Sequence, residues 1–545
     1  MKNSTRFPLL SRKLPVIGIM AVLMTATLLT WIVTGHGLAI EGDGYYYINA
    51  ARIMAASLGM GGVAPVAPDL LQEIIDYYAY VRELWPPLYP ALLAAVSFSA
   101  DPYPAGRWLH LIFPAVIGIL TWMIVYRNKK SNSRAFWAIA LILLSPEILR
   151  LNHFVFSESL FLILQLAALL TVSYYLRTRR RAWLVMTVIL IALAGLTRYI
   201  GVMMAPALSW TVWRINQDRT FFQRTAQSLW CVLFSVLPIA LYMFSTILYS
   251  RTLYVAGRSL AWDWPLAKAL IFFKKSLNAP ILYLTPADWP RTAQIVLALS
   301  AVAAIIVLFV HQKKKQRRHP PAGSVLELQN FIKACLVIYL VMASLLALYL
   351  DHMLCYTGIT TRHFAPLFVW LVIFAVMTGP DSGAASGKNS ARFMPALAAV
   401  LAVGLISVSL VESTVNAFEN RHIPIEKRQL WEKSSALARV RDMKPTPWLV
   451  SNLPGEMFQY LKTPVFALPS RYDFFKAQTN PIYGEQMDQL RQLLHQHDGI
   501  VLYFDPGLRF PPEVALQATS LKECQDLLYL EVFFRDEICV VLRPR

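Results

Sequence analysis

The stretch Glu41-Gly42-Asp43-Gly44-Tyr45-Tyr46-Tyr47 puts two carboxylates, two glycines and three tyrosines directly after a long apolar run. Glycine lets a backbone turn and approach a ligand closely. Tyrosine suits a polar/apolar boundary, ring in the apolar layer and hydroxyl in water. A carboxylate so placed has the chemistry of a base, or of a ligand for something arriving from a membrane. The competing reading is a solvated exit turn with an interfacial aromatic belt. Further ionisable groups flank other apolar runs: Arg107, Glu158 in Phe156-Ser157-Glu158-Ser159, Arg198 in Thr197-Arg198-Tyr199, Arg258, Lys274-Lys275 and Arg362-His363. Each alone has a plain alternative. Arg107 and Arg362 can snorkel from helix ends. Glu158 can be a favourable N-terminal acid, Lys274-Lys275 a solvated face, and His363 a structural histidine.

The elements that must position these groups are membrane helices. The chain has 545 residues, 56% hydrophobic and 15% charged, with a mean hydropathy of +0.47, which excludes an ordinary soluble enzyme. Several runs reach the roughly 20 apolar residues needed to cross a bilayer. A net charge of +19 in a soluble chain would suggest nucleic acid. Here most cations fall in short clusters between apolar runs, at 127–134, 177–181, 214–224 and 313–318. That is what orientation in a membrane requires, so nucleic acid is set aside. The five cysteines show no metal-ligand spacing. Cys524 and Cys539 share the polar tail and can pair only in an oxidising compartment.

Lys2, Arg6, Arg12 and Lys13 precede the first span, 14–34. We read it as a retained helix rather than a cleaved signal peptide, with a cytoplasmic N-terminus and Glu41 and Asp43 outside. The apolar run 86–100 is short for a crossing. Laid flat at the outer surface, it puts every basic cluster inside. Residues 36–106 then form one external loop with interfacial helices at 45–58 and 68–82. Spans follow at 107–126, 134–149, 157–176, 183–197, 199–213, 227–249, 291–310, 329–350, 363–378 and 393–411, for 11 in all, read from the sequence and their apolar lengths. The expected layout is a membrane domain at 1–412 and an extracytoplasmic α/β domain at 413–545. In the latter, β-type runs at 448–451, 465–468 and 499–504 alternate with helical segments at 455–461 and 485–497, and 527–542 reads as a closing hairpin.

This topology gathers acids and arginines from distant parts of the chain at one outer layer. The chemistry that fits is attack on a phosphate-bearing substrate held by a lipid tail. A carboxylate takes the acceptor hydroxyl's proton, and arginine forks neutralise the leaving phosphate. The runner-up is a transporter or lipid flippase, a class that places polar residues at the bilayer midplane on broken helices in related halves. No such halves are visible, and Lys333 is a single stray cation. A third reading, a receptor or assembly scaffold with the tail as binding module, leaves the acids and arginines unexplained.

Taken in order, the acidic Tyr-rich turn, Trp85-Pro86-Pro87-Leu88-Tyr89-Pro90, Arg107, Pro146 with Ser157-Glu158-Ser159-Leu160, and Thr197-Arg198-Tyr199-Ile200-Gly201 resemble the GT-C-fold membrane glycosyltransferases. The similarity is to the protein-mannosyltransferase and aminoarabinose-transferase-like group, over residues 14–215 and by hydropathy alone thereafter. It implies a polytopic α-helical fold and an inverting transfer from a polyprenyl-phosphate-linked sugar to a protein, lipid or glycan acceptor, on the outer side of a bacterial inner membrane. Asp43 matches the family's catalytic acidic position, expected to act as general base, and Glu158 its second acidic position. Arg107 and Arg362 match arginines associated with the donor. Arg198, Arg258, Tyr46 and Trp85 complete the expected donor contacts. Two departures stand out. Trp85 occupies the place of a basic residue in the aminoarabinose enzymes, so that specificity is not carried over. Protein mannosyltransferases have two adjacent acids, whereas Gly42 separates Glu41 from Asp43. Such an acid-x-acid pair has the oxygen ligands to hold Mg²⁺ or Mn²⁺, but two carboxylates are a thin site and no cofactor is firmly expected.

Overall fold

The computed structural model describes residues 8–40, 43–57, 86–97, 101–250, 323–353, 361–378, 390–421, 429–445, 447–461, 463, 465–473, 478–480, 483–505 and 519–545. The helices of the first part are α1 (Pro8–Val33), α2 (Asp43–Ser57), α3 (Leu88–Val96), α4 (Pro102–Lys129), α5 (Asn132–Leu143), α6 (Pro146–His153), α7 (Glu158–Thr178), α8 (Arg181–Thr197), α9 (Met204–Ile215) and α10 (Phe221–Ser250). They are followed by α11 (Gly323–Met353), α12 (Ala365–Thr378) and α13 (Ser390–Asn420). Among the described residues, four helices are long and apolar enough to cross a membrane: Leu14–Val33, Pro102–Lys129, Glu158–Thr178 and Phe221–Ser245.

Local chemistry sets the boundaries. Asp101 caps α4, its side chain accepting from Tyr103 N, with Pro102 pre-set for the first turn. Lys130 (φ 52°) ends α4 and Arg179 (φ 55°) ends α7, both left-handed. The single span expected at 134–149 is instead two helices, α5 and α6, meeting at 58°. The reason is Pro146, which cannot continue a helix and starts a new one after Ser145. The span expected at 199–213 opens as a 3-10 turn, Tyr199–Met203, before α9. Helix α13 runs past the expected end of its span to Asn420. The expected helix at 68–82 and the span at 291–310 lie outside the described residues.

One large apolar core joins α1, α4, α5, α7, α8, α9, α11 and α12. A second, smaller one matters more for function: Tyr47, Ile48 and Ala51 of α2 pack with Tyr89 and Leu93 of α3, Phe113 of α4 and Phe161 of α7. It seats the short helices after α1 on the bundle.

The C-terminal part is a five-stranded sheet in the order β2-β1-β5-β7-β6. Its strands are β1 (Leu449–Ser451), β2 (Val465–Ala467), β5 (Ile500–Phe504), β6 (Leu530–Arg535) and β7 (Cys539–Pro544), with a separate ribbon of β3 (Tyr472–Asp473) and β4 (Gln478–Thr479). β2, β1 and β5 are parallel; β7 and β6 close the sheet antiparallel. One face packs against Leu437 and Met457, the other against Leu490 and Leu494. The helix carrying Met457, Pro454–Leu461, also packs against α2. Cys524 and Cys539 are free thiols buried in the cores on opposite faces of the sheet, so they do not pair.

Candidate active site

The chain leaving α1 is zipped to the chain leaving α6. Ala39 N donates to His153 O, and Val155 N to Ala39 O, each at 3.0 Å, a short parallel bridge. Gly44 lies so close to this strand that an added Cβ would meet Val155 O at 3.1 Å. Two residues that open helices are thereby brought together: Asp43, first of α2, and Glu158, first of α7.

Two arginines close the group. The cap of α8 is Arg198, which the following 3-10 turn folds back over the helix end. Gly201 is needed there, because a Cβ would collide with the Ala194 backbone. Arg362 lies in a 3-10 turn, Thr361–Phe364, anchored by Tyr339, whose hydroxyl donates to the His363 carbonyl. Arg198 Nη1 sits 2.6 Å from Glu158 Oε1, and Arg362 Nη2 sits 2.7 Å from Asp43 Oδ2. Arg362 Nε is 3.6 Å from Glu158 Oε1, and its guanidinium stacks 4.5 Å over the Phe156 ring. Glu158 is 2% exposed, and neither of its oxygens has a well-formed hydrogen bond among the described residues. Acceptor capacity is therefore left on a buried carboxylate.

Burial holds the Asp43 carboxyl above the usual carboxylate range. The attraction of Arg362 opposes the shift and the charge of Glu158 adds to it. Tyr47, one turn along α2, shares a 2.9 Å hydrogen bond with Ser157 Oγ, and burial pushes its hydroxyl up, so it remains a neutral donor or acceptor.

Of the residues expected from the sequence, Asp43, Glu158, Arg198 and Arg362 meet. Arg107 instead donates from Nε to Thr34 Oγ1 at 3.5 Å, at the end of α1. Tyr46 is half-buried on α2. Glu41, Trp85 and Arg258 lie outside the described residues.

Several supporting residues were not expected. Arg52, 2% exposed, makes a bidentate pair with Asp101, Nε to Oδ1 at 3.0 Å and Nη2 to Oδ2 at 2.9 Å, and ties α2 to the start of α4. Tyr89 and His110 share a 2.7 Å hydrogen bond, His110 Nδ1 contacts Asn152 O at 3.1 Å, and Ser159 donates to Asn152 Oδ1 at 3.0 Å. A carbonyl only accepts, so His110 carries its proton on Nδ1 and Tyr89 donates to Nε2. Tyr47 alone had a readable signal: it lies four residues after Asp43 and so shares its helix face.

Residues 17–260 match the family model described as dolichyl-phosphate-mannose-protein mannosyltransferase. No curated protein sequence matches the chain. The fold is similar to that of ArnT from Cupriavidus metallidurans bound to undecaprenyl phosphate, with 13% identity, a TM-score of 0.58 and 97% of each chain covered. It is likewise similar to apo ArnT from the same organism, with 13% identity and a TM-score of 0.56 over 96% of this chain and 97% of that one. The chain thus shares the fold of the ArnT structures, and over residues 17–260 it matches the protein-mannosyltransferase family model.

Proposed function

We propose that this enzyme moves a sugar from a polyprenyl-phosphate donor to an acceptor hydroxyl or amine with inversion, and that Asp43 is the general base. The observation that carries this reading is the Asp43–Arg362 ion pair beside the Glu158–Arg198 pair. A base and two phosphate-binding forks stand at one point. Asp43 takes the proton as the acceptor attacks the anomeric carbon; the bond to the phosphate oxygen breaks, and the phosphate leaves as an anion neutralised by Arg362 and Arg198. Glu158 orients both guanidinium groups and offers its free oxygen to a substrate hydroxyl. Arg107, Arg258, Tyr46 and Trp85 are the further donor contacts in this reading. ArnT, bound to undecaprenyl phosphate, supports a donor of that lipid class.

The finer architecture belongs to the same proposal. It has 11 spans, counted from the sequence, a cytoplasmic N-terminus, a membrane domain at 1–412 and an extracytoplasmic domain at 413–545, in a bacterial inner membrane. Asp43 and Glu158 are each neutralised by a guanidinium, which fits arginine rather than a divalent cation at this point, and no step is assigned to a metal.

Mass spectrometry of envelope glycans, proteins and lipids with and without the enzyme tests the reading. A sugar modification that disappears without the enzyme, and returns when the enzyme is restored to membranes supplied with polyprenyl-phosphate sugar, is expected. Unchanged modification with altered lipid movement across the membrane would favour the flippase reading instead.

A further inference from the structure

At the end of the bundle opposite Glu158, α7 and α8 are joined through arginines. α7 is capped by Arg179 and α8 begins at Arg181. The 21 residues of α7 set this end about 30 Å from the candidate active site, enough to put the two on opposite faces of a membrane that α7 spans. A cavity of about 270 Å³ opens there, lined by Arg179, Arg181, Asn216, Asp218, Arg219 and Gln227 among others. Its wall is a built one. Buried Asn216 donates to Val212 O at 2.9 Å and to Gln227 Oε1 at 3.2 Å, and Arg219 Nη1 donates to that same oxygen at 3.1 Å. Three arginines and one aspartate thus line the same cavity. Among the described residues none of the three is in an ion pair.

Beside the cavity, the first turns of α10 carry an open apolar groove lined by Ala226, Leu229, Trp230, Val232 and Leu233. Leu229 and Leu233 are 61% and 57% exposed among the described residues. Aromatic rings mark the boundary: Arg224 stacks 4.0 Å over Trp213, and Trp183 stacks on Tyr174 at 4.4 Å, as at a membrane–water interface. A soluble anion would use the arginines and leave the groove idle; a lipid anion uses both. We infer that this is a binding site for an anionic phospholipid, its phosphate held by Arg179, Arg181 and Arg219 and one acyl chain laid against Leu229 and Leu233. The inference is independent of the transferase reading.

Native mass spectrometry of the full chain, purified in detergent and offered phosphatidylglycerol, phosphatidylcholine or inorganic phosphate, tests it. Phosphatidylglycerol is expected to stay bound where phosphatidylcholine does not, and inorganic phosphate at equal concentration is not expected to displace it. Replacing all three arginines (R179Q, R181Q and R219Q together) should lower phosphatidylglycerol retention about 10- to 100-fold. The corresponding lysine variant, which keeps the charge, should retain most of it. Singly, R179Q and R181Q change exposed positions and should each lower retention several-fold, which keeps the test decisive if the triple variant does not fold. Equal retention of both lipids, full retention by the glutamine variants, or displacement by inorganic phosphate would overturn the assignment.

Discussion

Arg362 donates from Nη2 to Asp43 Oδ2 at 2.7 Å across 319 residues of chain. In this resting pair each partner masks the other. In the proposed mechanism a donor phosphate needs the guanidinium and an acceptor needs the carboxylate, so donor binding draws Arg362 from Asp43 before the base is free.

Arg362 should therefore matter through its fork as well as its charge. R362K keeps the charge but loses bidentate geometry. We expect it to raise the donor KM with a smaller effect on kcat, whereas R362Q lowers kcat/KM by about 10²-fold or more, on the order of a desolvated charge-assisted contact. Steady-state kinetics with varied donor checks this; native kinetics in R362Q would remove Arg362 from the site.

The pH profile carries a sign. In the proposed mechanism Asp43 acts as a base, which requires it ionised, and burial raises its pKa. The acid limb of kcat/KM should then lie above the ordinary carboxylate range, activity falling as pH drops through it. Removing Arg362 takes away the attraction that lowers this pKa, so the limb in R362Q should move to higher pH. A limb that stays put, or moves down, would mean that another group titrates.

Arg52 and Asp101 should prove structural. Breaking the pair on one side takes the carboxylate charge from a buried guanidinium. D101N is expected to cost about 2–4 kcal/mol, the lower part of the range reflecting the 29% exposure of Asp101. Thermal unfolding of the purified chain reads this, and a shift indistinguishable from native would contradict it.

Gly201→Ala forces a Cβ against the backbone of Ala194. The turn that carries Arg198 must shift, at about 1–3 kcal/mol, and the Glu158–Arg198 contact should loosen with it. A lower melting temperature together with a weakened donor KM is expected; unchanged values for both would show that the turn has room.

The four charged residues that meet were legible because charged side chains at the edges of apolar runs are conspicuous: Asp43, Glu158, Arg198 and Arg362 stand out by type alone. The strands at 449–451, 465–467 and 500–504 were legible for the complementary reason, short apolar runs between turn residues. What sequence could not supply was partner choice. Arg107 reads like Arg362, yet it meets Thr34. Arg52 reads as an ordinary helical cation, and Asp101 as a helix cap, until the fold closes the 49 residues between them. The bridge between Ala39 and Phe154 is a tertiary accident of where two loops run, with no local pattern to announce it. The bend at Pro146 did have a signal, the proline itself, which hydropathy averaged away.

The most direct measurement is of Asp43→Asn, with donor binding and sugar transfer followed separately. The amide cannot accept the proton and releases Arg362, so transfer should fall by about 10² to 10⁴-fold while the donor binds as tightly as before or tighter. Transfer within tenfold of native, with donor affinity unchanged, would contradict the account.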